Sequence, residues 1–464
     1  MRRFSLALAL VALLAVAASA SAANIVVLSD DPAGTGLFDP TPVAPVGGNP
    51  GTTLGAQRAF VYLFAADLWG QTIDSAAPIF VLARFRPLGC SPTTGTLGSA
   101  GTTFVFRDFG AAPSPATWYH SALADALAGT DLNPGFFDIS SSFNSRIDDP
   151  AQDPACLTGR NWYYGVDHNP GIDFDFLNVV AHEIAHGLGF ANFVTETTGT
   201  NFLGFTDVYS LNTFDVTTGL TWDQMTDAQR AASAANDRNV VWNGTSATAA
   251  APSVLGPRPS VIVLDGPLVG SYEANPATFG PAIVPGGGTS GGVRLAEDGV
   301  GVPSDACEPL VNAGADNVNG KIVLVDRGIC TFVQKVANAQ AAGAKGVIVA
   351  NNVEGGALSP LGGVDPSIVI PSMGISFELG QDLRAFPAPV KLAIDPSVRA
   401  GTQDGFVRLY APAVVALGSS ISHWDTSATP NLLMEPFITS TLRAADSLDL
   451  TPALFEDLGW LLLP

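Results

Sequence analysis

His182 and His186 stand four residues apart in the run Val179–Phe190, which is otherwise apolar and rich in helix-forming residues. On an α-helix this spacing puts two side chains on one face, about 5–6 Å apart at Cβ, so that both imidazoles can bind one zinc ion. Glu183 follows the first histidine, where its carboxylate can act as a general base on a zinc-bound water. The motif H-E-x-x-H therefore predicts a catalytic zinc site. The alternative is a buried helix that carries two of the chain's five histidines by chance.

The residues around this motif predict the helix that would hold it. Asp175 can cap the start of the helix, and Gly187 and Gly189 can end it. Apolar side chains recur at helical spacing on one face and leave the histidines on another; they are Leu177, Val180, Ile184 and Leu188. We therefore expect a helix over residues 175–188.

The first 22 residues have the pattern of a secretory signal peptide. Arg2 and Arg3 precede an apolar run from about Phe4 to Ala18, and small residues of the A-x-A type follow it. The run is short for a membrane span, so an uncleaved anchor is the weaker alternative. No later segment reaches about 18 uninterrupted apolar residues. We therefore expect a secreted protein with no membrane span in the mature chain.

The rest of the composition predicts a folded, acidic protein with more than one domain. Lys and Arg number 21 against 42 Asp and Glu, a net charge of −21, which argues against nucleic acid and anionic membranes as partners. Hydrophobic residues make up 47% of the chain, too many for an acidic disordered protein. Roughly 440 residues after the signal peptide are too many for one core, so two or more domains are expected.

The cysteines predict two disulfides, because the chain has four of them and is expected to be exported. Four cysteines allow three pairings, and the domain layout given below favours Cys90–Cys156 and Cys307–Cys330. No C-x-x-C sequence occurs, so a cysteine-rich zinc site is not expected.

Both strands and helices are expected before about residue 245. The periodicity predicts strands at 24–29 and 78–85 and helices at 58–69, 118–128 and 175–188. The Ala/Pro-rich stretch Ala247–Pro259 has the composition of a linker. Near the end of the sequence, Thr451, Pro452 and Gly459 predict the cap, the first turn and the end of a short helix.

The pattern changes beyond the predicted linker. Lys321–Asp326 and Gly346–Asn352 are predicted buried strands, and Val333–Ala342 between them is a predicted helix. A strand, a helix and a strand within about 30 residues predict a β-α-β unit with parallel strands. No histidine occurs between His186 and His423, so no catalytic cluster is expected in this block.

Three short stretches, in this order, resemble the leishmanolysin-like metzincins: the H-E-x-x-H-x-x-G motif, Ser422-His423-Trp424, and Asn431–Pro436 with its methionine. In metzincins the motif commonly continues to a third histidine three residues after the glycine, where this chain has Asn192. A carboxamide is a poor zinc ligand beside imidazole. In the leishmanolysin-like family an insertion separates the third histidine from the helix.

This resemblance implies a role for each matching residue. The implied ligands of one catalytic Zn²⁺ are His182, His186 and His423. By the same resemblance Glu183 is the general base, Gly189 turns the chain after the helix, and Met434 lies under the metal site.

The intervening block resembles protease-associated (PA) domains. The residues that carry this resemblance are Gly320–Phe332 followed by Lys335–Ala344. Such domains usually lie beside a peptidase domain and bear on substrate access or binding. An inserted PA domain would explain the long gap between His186 and His423, provided that its two ends lie close together.

We therefore expect an α+β fold, in which a metzincin-like zinc peptidase domain (residues 23–255 and 399–464) is interrupted by an α/β PA domain (residues 256–398). The expected function is that of a secreted zinc endopeptidase acting on proteins or peptides. The alternative is a catalytically inactive extracellular binding protein that uses the PA domain for protein interaction. The intact His182-Glu183-His186 triplet argues against it, because such a protein could lose Glu183 freely.

The other histidines and nearby acids are expected to have lesser roles. His120 lies in a predicted helix as a surface or packing residue, and His168 lies in a predicted solvated turn, although it stands shortly before the zinc helix. Asp425 and Glu435 flank the third implied ligand and are as compatible with supporting or solvated positions as with catalysis.

Overall fold

The computed structural model describes residues 22–148, 155–311, 317–355, 358 and 361–464. All but the last residue of the predicted signal peptide lie outside these ranges. Within them the α-helices are α1 (Leu54–Gly70), α2 (Ser121–Ala128), α3 (Phe176–Leu188), α4 (Asp227–Ser233), α5 (Thr245–Val254), α6 (Phe332–Ala341), α7 (Phe377–Ala385) and α8 (Thr451–Leu458).

The strands before residue 256 are β1 (Ile25–Leu28), β2 (Ile79–Arg86), β3 (Gly98–Thr102), β4 (Val105–Phe106), β5 (Thr117–His120), β6 (Ile139–Asn144), β7 (Trp162–Tyr163), β8 (Phe174–Asp175), β9 (Val194–Thr195), β10 (Thr200–Asn201), β11 (Thr206–Asp207), β12 (Thr213–Asp215), β13 (Leu220–Thr221) and β14 (Val240–Trp242). The later strands are β15 (Pro257–Val263), β16 (Gly270–Glu273), β17 (Asn275–Pro276), β18 (Thr289–Leu295), β19 (Ile322–Asp326), β20 (Gly346–Ala350), β21 (Ser372–Ile375), β22 (Pro389–Arg399), β23 (Thr402–Gln403) and β24 (Phe406–Arg408).

A four-stranded sheet supports the helix that carries the H-E-x-x-H motif. Its order is β1-β2-β6-β3, in which β1, β2 and β6 run parallel and β3 lies antiparallel at the edge. Helices α1 and α3 contact each other and this sheet. The predicted cap of α3 is present, since the Asp175 carboxylate accepts hydrogen bonds from the backbone N–H groups of Leu177 and Asn178. The helix ends at Gly189, whereas Gly187 lies inside it.

An eight-stranded sheet accounts for most of the block between the motif and His423. Its order is β16-β15-β22-β18-β19-β20-β21-β17. The predicted β-α-β unit is present as β19, α6 and β20, and the two strands pair in parallel. The first and last long strands of this block, β15 and β22, are antiparallel neighbours whose outermost pair is Pro257 and Arg399. The chain therefore enters and leaves the block at adjacent positions.

A five-stranded sheet joins chain segments from the two sides of this block. Its order is β13-β12-β14-β24-β23, and β14 pairs with β24 through Val241 with Arg408 and Trp242 with Val407. Because β14 precedes the block and β24 follows it, this sheet holds the returning chain beside the first part. The hydrophobic cores divide in the same way. One cluster combines residues before 256 with residues after 406, and two smaller clusters lie within 261–392.

Two local predictions are wrong. The stretch Ala247–Pro259 is not a linker, because most of it forms α5 and the start of β15, with Ala247 and Ala251 buried. Alanine is the best helix former, and here it also lets α5 pack closely against α8. The predicted helix at 118–128 begins at Ser121, because Thr117–His120 pairs as β5 with β4 and β11. The observed architecture is mixed α/β.

Both predicted disulfides are present. Cys90 and Cys156 are joined with a Cα–Cα distance of 5.1 Å, and Cys307 and Cys330 with one of 5.7 Å. Cys90 and Cys156 belong to the first core cluster, and Cys307 and Cys330 both lie in the chain segment of the eight-stranded block, so neither disulfide ties that block to the rest of the chain.

Candidate metal centre

The three implied ligands come together at one point. The Nε2 atom of His182 lies 3.0 Å from Nε2 of His186 and 3.2 Å from Nε2 of His423. Helix α3 supplies the first two imidazoles, and the loop after β24 supplies the third. A tetrahedral zinc ion with Zn–N bonds of about 2.0–2.1 Å holds its ligand nitrogens about 3.3–3.4 Å apart. The three nitrogens therefore have the spacing of a zinc site.

The other ring nitrogen of each histidine is held by a backbone carbonyl. Nδ1 donates to Leu433 O at 2.7 Å in His182, to Phe190 O at 2.8 Å in His186, and to Ser419 O at 2.8 Å in His423. A carbonyl can only accept, so Nδ1 carries the proton and Nε2 keeps its lone pair. Three lone pairs then face one another without a proton between them. This arrangement fits a cation and would repel if none were bound.

Burial keeps these imidazoles in the neutral form that a metal needs. It lowers the pKa of His182 to about 4 and that of His186 to about 3, and His182 and His186 help burial to lower the pKa of His423 well below its usual range. Neutral histidine with an outer hydrogen bond to a carbonyl is the usual form of a zinc ligand. The residues therefore fit Zn²⁺.

Glu183 lies beside the histidines with part of its carboxylate unused. Burial raises the pKa of Glu183 to about 8, and a hydrogen bond with the backbone of Ala100 on β3 opposes this shift only in part. Its Oε2 atom is buried and has no hydrogen-bond partner among the described residues. Such a carboxylate can take up and release a proton near neutral pH.

Gly98 on β3 makes the space that this carboxylate occupies. A Cβ atom at position 98 would lie 2.8 Å from Oε1 of Glu183 and 3.0 Å from its Cγ. Any side chain there would displace the carboxylate. Nothing in the sequence around Gly98 marks this role, since the residue lies far from the motif and outside any pattern.

The residues predicted to shape the site lie at its borders. Gly189 has φ +144°, a conformation that other residues rarely adopt, and its N–H bonds to Ala185 O at 3.1 Å. The chain can therefore turn and bring Phe190 O to His186. Met434 is fully buried, and its carbonyl accepts from the N–H of Trp424 at 2.8 Å. The segment with Met434 thus fixes the residue next to His423.

Asn192 stands outside the group of three nitrogens. Its side-chain amide donates to Ser422 Oγ at 3.1 Å and to Glu196 Oε1 at 3.2 Å, and its oxygen accepts from the N–H of Val194 at 2.8 Å. Asn192 therefore connects the end of α3 to the loop of His423. These hydrogen bonds hold the segment after α3 against the segment that carries His423.

Sequence reasoning missed one supporting carboxylate, Asp449. It accepts hydrogen bonds from the N–H groups of Leu433, Leu450 and Thr451. Because Leu433 O accepts from His182, Asp449 holds the peptide that orients this imidazole. Burial raises the pKa of Asp449 to about 7. Glu435 has a similar place, since it accepts from Leu432 N–H at 3.0 Å and burial raises its pKa to about 7. Neither lies among the three converging histidines.

The prediction that His168 lies in a solvated turn is wrong. Its side chain is 5% exposed, and Nδ1 lies 2.8 Å from Oδ2 of Asp175, the cap of α3. Its Nε2 accepts from the N–H of Ala445 at 3.2 Å. His168 therefore ties the start of the motif helix to the C-terminal segment. The Asp425 carboxylate accepts a hydrogen bond from the N–H of Ser427 at 2.9 Å, and Asp425, two residues after His423, is buried.

His120 is a packing residue and not a surface one. It is fully buried, and its ring lies 4.5 Å from that of Phe193. Burial lowers its pKa to about 3.

Replacing His120 with glutamine is expected to change how stability depends on pH. Above about pH 6.5 the histidine is neutral in both the folded and the unfolded protein. Below this pH the unfolded chain binds a proton that the folded chain cannot bind. The wild type therefore loses stability as pH falls. Between pH 6.5 and 5 the variant should gain about 2 kcal/mol relative to wild type. Urea unfolding at both pH values measures this difference, and an unchanged difference would contradict the assignment.

Comparison with known proteins identifies one part of the chain. Residues 293–383 match the family model of the PA domain, so a PA domain is present in this protein. It coincides with the part of the eight-stranded sheet from β18 to α7.

Relatives match over short segments. Leucine aminopeptidase 2 of Trichophyton rubrum is 45% identical over 82 residues, which are 18% of this chain and 16% of that protein. A receptor homology region, transmembrane domain- and RING domain-containing protein 1 of Oryza sativa subsp. japonica is 36% identical over 127 residues, 27% of this chain and 23% of that protein. The chain thus spans less than a quarter of either relative, and of these two only the first is named as a peptidase.

Solved structures are similar only in part. The zinc aminopeptidase BSAP from Bacillus subtilis is 25% identical, covers 32% of this chain and 37% of its own, and superposes with a TM-score of 0.22. An aminopeptidase from Aneurinibacillus sp. strain AM-1 is 19% identical, covers 41% of this chain and 42% of its own, and has the same TM-score of 0.22. Separately, none of the helices in the described ranges has the length and apolarity needed to cross a membrane.

Proposed function

We propose that this protein is a zinc-dependent peptidase with the active-site arrangement of the leishmanolysin-like metzincins. The observation that carries the proposal is the convergence of three buried, neutral imidazoles on one point, beside a buried carboxylate with an unused oxygen. His182, His186 and His423 would hold one Zn²⁺. The PA domain fits a peptidase, because a relative that shares part of the chain, from Trichophyton rubrum, is named as a leucine aminopeptidase.

Glu183 is the residue that moves protons in this proposal. Zinc bound by three histidines supplies Lewis acidity, which polarises a carbonyl and lowers the pKa of water. Glu183 takes a proton from the attacking water and passes it to the amine that leaves. Burial makes this carboxylate a stronger base than an exposed glutamate, because it raises the pKa of the side chain. The carbonyl partners of the three histidines keep the imidazoles oriented throughout.

The edge strand β3 supports cleavage within a polypeptide. It lies at the outer end of its sheet, next to β6 alone among the described strands, and its Ala100 contacts Glu183. An extended substrate can pair with such an edge strand through backbone hydrogen bonds. A polypeptide bound in this way can continue on both sides of the bond that is cleaved. We therefore propose an endopeptidase. An aminopeptidase is the second candidate, because relatives with that name share part of the chain.

Secretion completes the proposal. The two disulfides require an oxidising environment to persist, and the first 22 residues have the composition of a signal peptide. Substrates would then be extracellular proteins or peptides.

Peptide cleavage by the purified, zinc-loaded protein tests this function. We expect one zinc per chain by elemental analysis, cleavage of casein, and cleavage of a peptide whether its N-terminus is free or acetylated. A chelator should abolish activity, and added zinc should restore it. Activity only on the free N-terminus would favour the aminopeptidase. Bound zinc without any cleavage would favour the non-enzymatic binding protein.

A further inference from the structure

A large cavity lies where the eight-stranded sheet meets the five-stranded sheet. Its volume is about 850 Å³, and we call it the junction cavity. The residues that line it come from the segment before β14, from β15 and β16, from the end of β22 and from β24. Volumes of about 300–1,000 Å³ and positions between domains are typical of small-molecule sites. None of the three zinc-site histidines lines it, so it is a separate feature.

Four arginines line this cavity, in a chain that is otherwise strongly acidic. They are Arg238, Arg258, Arg399 and Arg408. The whole chain has a net charge of −21 and contains only 21 lysines and arginines. The convergence of four guanidinium groups on one cavity is therefore unusual for its composition.

Arg408 has more donors than partners. It is 3% exposed and donates from Nη1 to Glu273 Oε2 at 2.7 Å and Ser427 Oγ at 3.3 Å, and from Nη2 to Gln403 Oε1 at 3.1 Å. Its Nε is buried and has no hydrogen-bond partner among the described residues. An unmet donor on a buried cation costs free energy unless a ligand or water satisfies it.

Arg258 forms no ion pair within 4 Å among the residues that the structure describes. It is 9% exposed and donates to neutral oxygens, Ser271 O at 2.9 Å and Ser260 Oγ at 3.4 Å. Burial lowers the pKa of its guanidinium, and Arg408 lowers it further, whereas the nearby carboxylates of Glu273 and Asp395 oppose this shift. Arg399 is half-buried and has no ion pair within the described ranges.

One carboxylate, that of Glu273, forms ion pairs with two of these arginines. Glu273 lies 2.7 Å from Arg408 and 3.5 Å from Arg238, and these two together with Arg258 hold its pKa below the usual range. Asp237 and Asp404 also line the cavity. Since Glu273 is already shared, Arg258 and Arg399 keep donors for a further anion.

We propose that the junction cavity binds an oxyanion, a carboxylate or a phosphate, between Arg258, Arg399 and Arg408. Planar guanidinium groups recognise both kinds of oxyanion through paired N–H donors. Arg258 and Arg399 stand at the two crossings between the PA-containing block and the rest of the chain. A bound anion would therefore link these two parts through charge-assisted hydrogen bonds. The proposal does not depend on peptidase activity.

Calorimetric titration of the full chain at low ionic strength tests the site. The probes are inorganic phosphate, a short peptide with a free C-terminal carboxylate, and the same peptide with a C-terminal amide. Phosphate or the free carboxylate, or both, should bind, and the amide should not. Arg258→Gln and Arg399→Gln should each weaken binding by about tenfold or more, because each removes charge-assisted bonds.

Arg86→Gln is the matched control, since Arg86 is an exposed arginine on β2 outside the cavity. It should leave anion binding unchanged. Circular dichroism of each variant checks folding, and if Arg258→Gln does not fold, the half-buried Arg399 decides the test. The proposal is overturned if neither phosphate nor the carboxylate peptide binds, or if Arg399→Gln binds as tightly as Arg86→Gln.

Discussion

Glu183→Gln is expected to fold and to bind zinc as the wild type does, but to lose about 10²–10⁴-fold in peptidase turnover, the usual contribution of a general base. The amide has the size of the carboxylate and fits beside Gly98, so the geometry around His182 should persist. It cannot accept a proton from water near neutral pH. The rate of casein or peptide cleavage at saturating substrate measures the loss.

Zinc content is the control for this variant. Glu183 is not among the three residues whose nitrogens converge, so one zinc per chain should remain after substitution. Unchanged unfolding in urea would show that the fold is intact. Undiminished cleavage by a zinc-loaded Glu183→Gln protein would remove this residue from the mechanism.

The second large effect is expected for His423→Ala, which should fail to retain zinc at neutral pH. Two imidazoles from one helix would remain, and the site would lose the ligand that comes from the other part of the chain. The fall in affinity should exceed the about 10–100-fold that removal of an outer hydrogen-bond partner typically costs. Dialysis against a competing chelator followed by elemental analysis measures it.

Asn192→Ala is the matched comparison, because Asn192 occupies the position at which a third histidine commonly stands in metzincins. Its amide bonds to Ser422 and Glu196 and not to the histidine group. Zinc should stay bound in this variant. The ligand assignment is wrong if Asn192→Ala loses the metal while His423→Ala keeps it.

The sequence predicted the motif helix well, because each signal there is local. The apolar spacing, the Asp175 cap and the terminal glycine act within one or two turns, and the helix runs Phe176–Leu188. Position 423 could not be reached in this way. Periodicity carries no information on a contact between residues 241 positions apart, so only the resemblance pointed to His423.

The supporting contacts of the site were beyond sequence reasoning for a different reason. The acceptors of the three Nδ1 protons are backbone carbonyls of Leu433, Phe190 and Ser419, and every residue has a carbonyl. Gly98 matters for the side chain that it lacks. His168 was misplaced because a turn-forming sequence predicts local backbone, whereas the partners that bury its ring come from residues 175 and 445.

The linker prediction failed because composition was considered without packing. Alanine and proline together resemble an unstructured connection, yet Ala247 and Ala251 are buried in the main core. Short side chains suit a helix that lies close to its neighbour. The same composition thus fits two structures, and only the tertiary contacts with α8 distinguish them.

The order of the chain has a consequence for biosynthesis. His182 and His186 are translated long before His423, and the whole PA domain is made in between. A nascent polypeptide that has not yet reached position 423 carries only two of the three converging imidazoles. The pairing of Pro257 with Arg399 then shortens the effective distance that the emerging segment must close, which lowers the entropic cost of closure. If the PA domain folds during translation, it does so before the third proposed zinc ligand is made, and a chain that ends before residue 423 would lack that ligand.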